Sequence, residues 1–242
     1  MNKSFVAFFD ILGFKDLVSR NSHEDLLEIY DFALYDTIET VLPMLKLIYG
    51  IMPTLGTKEI DTLEIYIISD SVIIIQKDTS MKGFLYLLAI SRILLSSSIG
   101  GGIPLRGGIS VDEVSVLKNE YGTTILGKGL TKAYEIENTQ SWAGAIVSHE
   151  CFEFLKEPEA KGLANRLCNV NNDILIRKFD VPFRNGTKEN KYVIEWTNYD
   201  LIKSEQDVIS SFSKHNKNCE SERVQTIIKN TVGFYRWIQN RS

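Results

Sequence analysis

The sequence predicts an α+β domain: a ferredoxin-like split βαβ sheet followed by a C-terminal helical extension. Three observations point there. An apolar, β-prone run over 4–9 stops at Asp10 and turns through Gly13 into a helical pattern. Residues 63–76 read LEIYIISDSVIIIQ, two β-branched runs meeting at Ser69-Asp70-Ser71, as a hairpin does. The glycines Gly100, Gly101 and Gly102 then separate a helical pattern from a new strand at Leu105. The resulting order is strand, helix, hairpin, helix, strand, and a split βαβ sheet is the simplest closed arrangement for it.

Each element has its own signal. The first strand leads through Ile11-Leu12-Gly13-Phe14 into a helix whose Leu17, Leu26, Tyr30, Leu34 and Ile38 recur at helical spacing; this helix is expected to end near Pro43. Residues 43–61 mix prolines and glycines and are expected as a connection with little regular structure. The hairpin carries Asp70 at its tip. A second helix is expected over 81–98, a strand around Arg106-Gly107-Gly108, and a third helix over 127–137. Further strands are expected at 143–148, 173–179 and 191–196, with a short helix from His149. Residues 1–200 are expected as one catalytic domain and 201–242 as the helical extension.

Composition limits the function. The 242 residues are 44% hydrophobic, enough for one sizeable core. Cys151, Cys168 and Cys219 are scattered and form no zinc-spaced pair, as expected of reduced thiols in a cytoplasmic protein. His215 and Cys219, four apart, do not close a metal site. No signal peptide is expected at the N-terminus, and the apolar stretch 84–95, interrupted by Arg92, is expected to be too short to span a membrane. The net charge of −4 argues against broad nucleic-acid backbone contact, so any phosphate should be handled locally.

Two acids stand at strand ends in apolar surroundings. The first strand and the first hairpin strand are expected to be neighbours, bringing Asp10 and Asp70 to one edge. Like charges about 4 Å apart repel by roughly 4 kcal/mol at an effective dielectric of 20, a conflict that two divalent cations, Mg or Mn, would remove. The turn at Gly13 and Phe14 opens a helix N-terminus beside Asp10, where backbone N–H groups favour polyphosphate. Arg106, a planar fork of donors within a Gly- and Ile-rich strand, is the candidate phosphate ligand.

The segments Phe8-Phe9-Asp10-Ile11-Leu12-Gly13-Phe14, Ile68-Ser69-Asp70-Ser71-Val72, Leu105-Arg106-Gly107-Gly108-Ile109-Ser110 and the helix from Gly127 to Glu137 resemble the class III nucleotidyl cyclases. The resemblance implies that Asp10, Asp70 and the Ile11 carbonyl bind two metals. It also implies that Arg106 holds triphosphate and that a homodimer shares its sites between subunits. The reaction implied is attack of the ribose 3′-hydroxyl on the α-phosphorus with loss of pyrophosphate.

The departures sharpen the resemblance. Tyr66 stands where purine cyclases carry a base-reading Lys or Glu, and the second base-reading position falls near Thr124. A tyrosine there points to a smaller base. The wording is similar to that of the pyrimidine cyclases of the Pycsar antiphage system, which implies UTP or CTP as substrate and a separate cyclic-nucleotide effector. Thr131 and Glu135 replace the Asn and Arg of the purine enzymes on the third helix. Lys128 or Lys132 is a candidate replacement for the arginine, and Lys188 for a phosphate-binding lysine. A purine cyclase, a catalytically silent nucleotide-binding module and a polymerase-like palm are the competing readings.

Overall fold

Residues 3–51, 62–155, 175–197 and 202–241 are described in the computed structural model. The chain runs through β1 (Lys3–Ile11), α1 (Phe14–Arg20), α2 (His23–Tyr30), a π-helical turn (Asp31–Tyr35) and α3 (Asp36–Ile51). It continues through β2 (Leu63–Ile68), β3 (Ser71–Gln76), α4 (Met81–Gly101), β4 (Leu105–Glu113), β5 (Ser115–Asn119) and β6 (Gly122–Leu126). Then come α5 (Lys128–Thr139), β7 (Gly144–Val147), α6 (His149–Phe154), β8 (Ile176–Pro182), β9 (Lys188–Ile194), α7 (Glu205–Ser213) and α8 (Glu222–Gln239).

Strand β1 is buried continuously from Ser4 to Phe9 because both faces of its sheet are covered. On one face Phe5 meets Phe84 of α4, ring centroids 4.8 Å apart. On the other, Val6 and Phe8 pack with Ala133 of α5. Asp10 continues the row of Val6 and Phe8, two residues on, where that apolar patch gives way to the strand end.

The main sheet has the order β2-β3-β1-β4-β7-β9-β8, antiparallel except for the β4–β7 pair. Its first four strands are the expected split βαβ unit. One neighbour differs from expectation: β1 pairs with β3, the second hairpin strand, while β2 lies at the sheet edge. The acids still meet, because Asp70 closes the turn into β3 and Asp10 is registered against Ser71.

The first helical region also differs. It breaks at Asn21, where Ser22 and Asp25 form a capping box that starts α2. Pro43 lies inside α3 rather than ending it, so part of the expected connection is helical; residues 52–61 lie outside the described residues. The helix over 81–101 is long and apolar enough to cross a membrane by length and composition, contrary to expectation, but 89% of its most apolar window is buried inside the protein. It is the central core helix.

Helix α5 lies unusually close to β4. A Cβ on Gly108 would come within 2.3 Å of the Ala133 carbonyl, so glycine at this point lets the helix descend and brings Glu137 over Arg106. The two C-terminal helices share the main core. Phe234 of α8 packs on Trp142, Phe179 and Trp196, and Thr231 accepts the Ala143 amide at 2.8 Å.

Candidate functional site

The ends of β1 and the β2–β3 hairpin are joined through the main chain: the Ile11 amide donates to the Asp70 carbonyl at 2.9 Å. Ser69, the first residue of the two-residue turn, has φ 56°, a positive value that the tight reversal into β3 imposes on it. The Tyr30 hydroxyl donates to the Ser69 carbonyl at 2.8 Å and steadies the tip. Gly13 has φ 79° and opens α1 without a side-chain cap.

Asp10 and Asp70 line one cleft of about 380 Å³ with Ile11, Gly13, Phe14 and Arg106. Neither carboxylate accepts a hydrogen bond among the described residues. Asp10 is opposite Arg106 in the β1–β4 register, and its Oδ2 lies 3.7 Å from Nη2, within ionic reach but too far for a hydrogen bond. Burial raises the Asp10 pKa to about 6; the negative charge of Glu137 adds to this and Arg106 opposes it. The site therefore holds more negative charge than one arginine offsets.

Arg106 differs from expectation. It is 3% exposed, and its Nε donates to Glu137 Oε1 at 2.5 Å while Nη2 pairs with the same carboxylate. Nη1 donates to the Gln140 carbonyl at 3.3 Å. Its guanidinium lines the cleft as the counter-charge of Glu137 and Asp10. Glu137 is itself buried, and burial raises its pKa even against Arg106.

The other expected residues lie outside this cleft. Tyr66 shares the sheet face of Asp10, since Tyr66, Ile73 and Phe8 are in register across β2, β3 and β1. Its hydroxyl donates to Glu64 at 3.0 Å and its ring packs on the cluster of Val6, Phe8 and Ile73. Thr124 on β6, Thr131 and Glu135 on α5, and Lys188 at the start of β9 are exposed. Lys132 is held by Asp112 at 2.9 Å and Glu150 at 2.7 Å, so it cannot supply charge to the cleft, and Lys128 does not line it. His215 is 2.7 Å from the Gly101 carbonyl, and Cys219 Sγ is 3.1 Å from the Phe212 carbonyl.

Sequence reasoning missed the opposite wall. Phe212, Lys217, Asn218, Arg223 and Ile227, from α7, α8 and their connection, complete the cleft. It also gave Glu137 no role, although Gly129, Ala133 and Glu137 form the buried stripe of α5 at four-residue steps, and an acid on such a stripe is a signal.

Among the described residues no three His, Cys, Asp or Glu side chains converge as a cation cage. Two hydrogen-bond-free carboxylates nevertheless fit hard divalent cations that complete their shells with backbone oxygen, water and phosphate.

No family model matches the chain, and no curated protein matches it in sequence. Among solved structures it is similar to the adenylyl cyclase CyaB from P. aeruginosa, at 18% identity over 80% of this chain and 93% of that one, TM-score 0.45. It is also similar to the guanylyl cyclase Cya2 (12% identity, 84% and 98% coverage, TM-score 0.48) and to a bacterial light-regulated adenylyl cyclase (10%, 88% and 98%, TM-score 0.48).

Proposed function

We propose that the chain is a nucleotidyl cyclase that converts UTP or CTP to the 3′,5′-cyclic monophosphate and pyrophosphate. The observation that carries this reading is the Ile11–Asp70 hydrogen bond, which fixes two unsatisfied carboxylates at the mouth of one cleft. Asp10, Asp70 and the Ile11 carbonyl would hold two Mg or Mn ions. When bound, such ions favour the ionised ribose hydroxyl and offset charge on the departing pyrophosphate.

The chain's own residues do the positioning. The Arg106–Glu137 pair orients Asp10 from behind, and the turn at Gly13 and Phe14 faces the phosphates. The 3′-oxygen forms a bond to the α-phosphorus, the bond from that phosphorus to the β-phosphate oxygen breaks, and the hydroxyl proton passes to solvent. Tyr66, Thr124, Thr131 and Lys188 lie away from the metal acids, which is the arrangement expected if a homodimer completes each site across its interface. Tyr66 there narrows the base pocket toward a pyrimidine. The cyclic product serves as a cytoplasmic second messenger in antiphage defence, read by a separate effector protein.

A second reading, a silent nucleotide-binding module, is favoured by the sequestered Arg106 and the exposed Glu135. Incubating the protein and its Asp10→Ala variant with each of four α-labelled triphosphates and Mn²⁺ separates the readings. Cyclic product from UTP or CTP, lost in the variant, supports the proposal. Product only from ATP or GTP makes the enzyme a purine cyclase, and binding without product from any triphosphate favours the silent module.

A further inference from the structure

The charged side chains of the cleft divide into those with protein partners and those without. Asp16 accepts from Arg20 at 2.7 Å and from the Asn218 amide at 2.5 Å. Lys217 is 8% exposed and donates to the carbonyls of Gly102 at 2.7 Å and Ser211 at 3.3 Å. Arg106 is engaged with Glu137. Lys15 and Arg223, both exposed, make no hydrogen bond or ion pair with any described residue, although Asp10 and Asp70 line the same cleft. A cleft lined by carboxylates without hydrogen bonds and by unpaired cations suits a ligand carrying both signs: a polyphosphate with its divalent cation.

The segment that carries Arg223 is held in place. The connection between α7 and α8 is tied to the end of α4 by Lys214 on the Gly100 carbonyl at 2.6 Å and by Lys217 on Gly102. It is tied to α1 through Asn218 and through Asn21, which donates to the His215 carbonyl at 2.8 Å. Phe234 fixes the rest of α8 in the core. An arginine on so anchored a helix has its backbone already placed, so only its side chain is ordered on binding phosphate, and its fork can bind bidentately.

We propose that Arg223 and Lys15 bind the polyphosphate tail of the nucleotide, so that the chain's own C-terminal helix supplies a substrate-binding cation in addition to Arg106, which is paired with Glu137. This rests on the proposed function but does not require turnover. Glu222 in the first turn of α8 limits the positive field there, which places the task on the Arg223 side chain rather than on the helix end.

The test is calorimetric titration of magnesium tripolyphosphate into the full chain and its Arg223→Ala, Arg223→Lys, Lys15→Ala and Lys229→Ala variants, with thermal melts of each. Lys229 lies exposed on the same helix outside the cleft. The alanines at 223 and 15 are expected to weaken binding at least tenfold with unchanged melting, Arg223→Lys to recover part of it, and Lys229→Ala to match wild type. Wild-type affinity in both Arg223→Ala and Lys15→Ala, or no binding by the wild-type chain, overturns the proposal. Tripolyphosphate binding that depends on Arg223, without cyclic product from any triphosphate, upholds this subsite and overturns the cyclase reading alone.

Discussion

The Ile11 amide and the Asp70 carbonyl, 2.9 Å apart, join the end of β1 to the tip of the β2–β3 hairpin. Because the bond uses main-chain atoms, the charge of Asp70 can be removed without breaking the link. Asp70→Asn is therefore expected to melt within about 0.5 kcal/mol of wild type without metal. A cation held at 100 times its Kd stabilises by about 2.7 kcal/mol. Melting curves with and without Mn²⁺ should show such a gain in wild type and its loss in the variant.

Asp10 gives a pH dependence of definite sign. Its pKa rises from 3.8 to about 6 on folding, so the stabilisation from its protonation is complete below 3.8 and is lost as pH rises through 6. Above pH 6 the ionised carboxylate is a cost to the metal-free protein. At about 1.4 kcal/mol per unit, reduced because the group opens to the cleft, this amounts to about 1–2 kcal/mol. Asp10→Asn should raise metal-free stability by that amount at pH 8 and leave it nearly unchanged at pH 4, as denaturant titrations at the two pH values would report.

Arg106 and Glu137 form a buried ion pair, and removing one partner strands the other. Arg106→Met is expected to destabilise by about 3–5 kcal/mol. The double variant Arg106→Met with Glu137→Met should recover much of that loss, since neither charge then remains buried without its partner. Urea midpoints of the two variants and wild type measure the difference.

Ser69 holds a left-handed conformation that glycine adopts without strain. Ser69→Gly should stabilise the chain by about 0.5–1 kcal/mol, with the hairpin register retained. A lower melting temperature would mean that the Ser69 side chain contributes more than its backbone costs.

The sheet was legible because its signals are local: the β-branched runs around Asp70, the glycine stop before β4 and the abrupt end of β1 at Asp10. Sequence was weaker where tertiary packing decides. Nothing in the spacing of Pro43 announces that α3 continues past it, and the β1–β3 pairing depends on how the hairpin folds back. The two acids could be singled out because acids at apolar strand ends stand out; that both line one cleft is seen only in the folded chain. Arg106 was assigned by its chemistry, but only the close seat of α5 on Gly108 reveals that Glu137 occupies it. The wall formed by Lys217 and Arg223 is invisible in sequence, since these polar residues lie more than 140 positions from Asp70.

The measurement nearest the central claim is pyrophosphate release from UTP and CTP by wild type and by Asp70→Asn over a Mn²⁺ titration. The expected result is metal-dependent release by wild type with a matching amount of cyclic nucleotide, and release at least a hundredfold slower in the variant at every metal concentration. Equal release by both proteins would contradict a site built on Asp10 and Asp70.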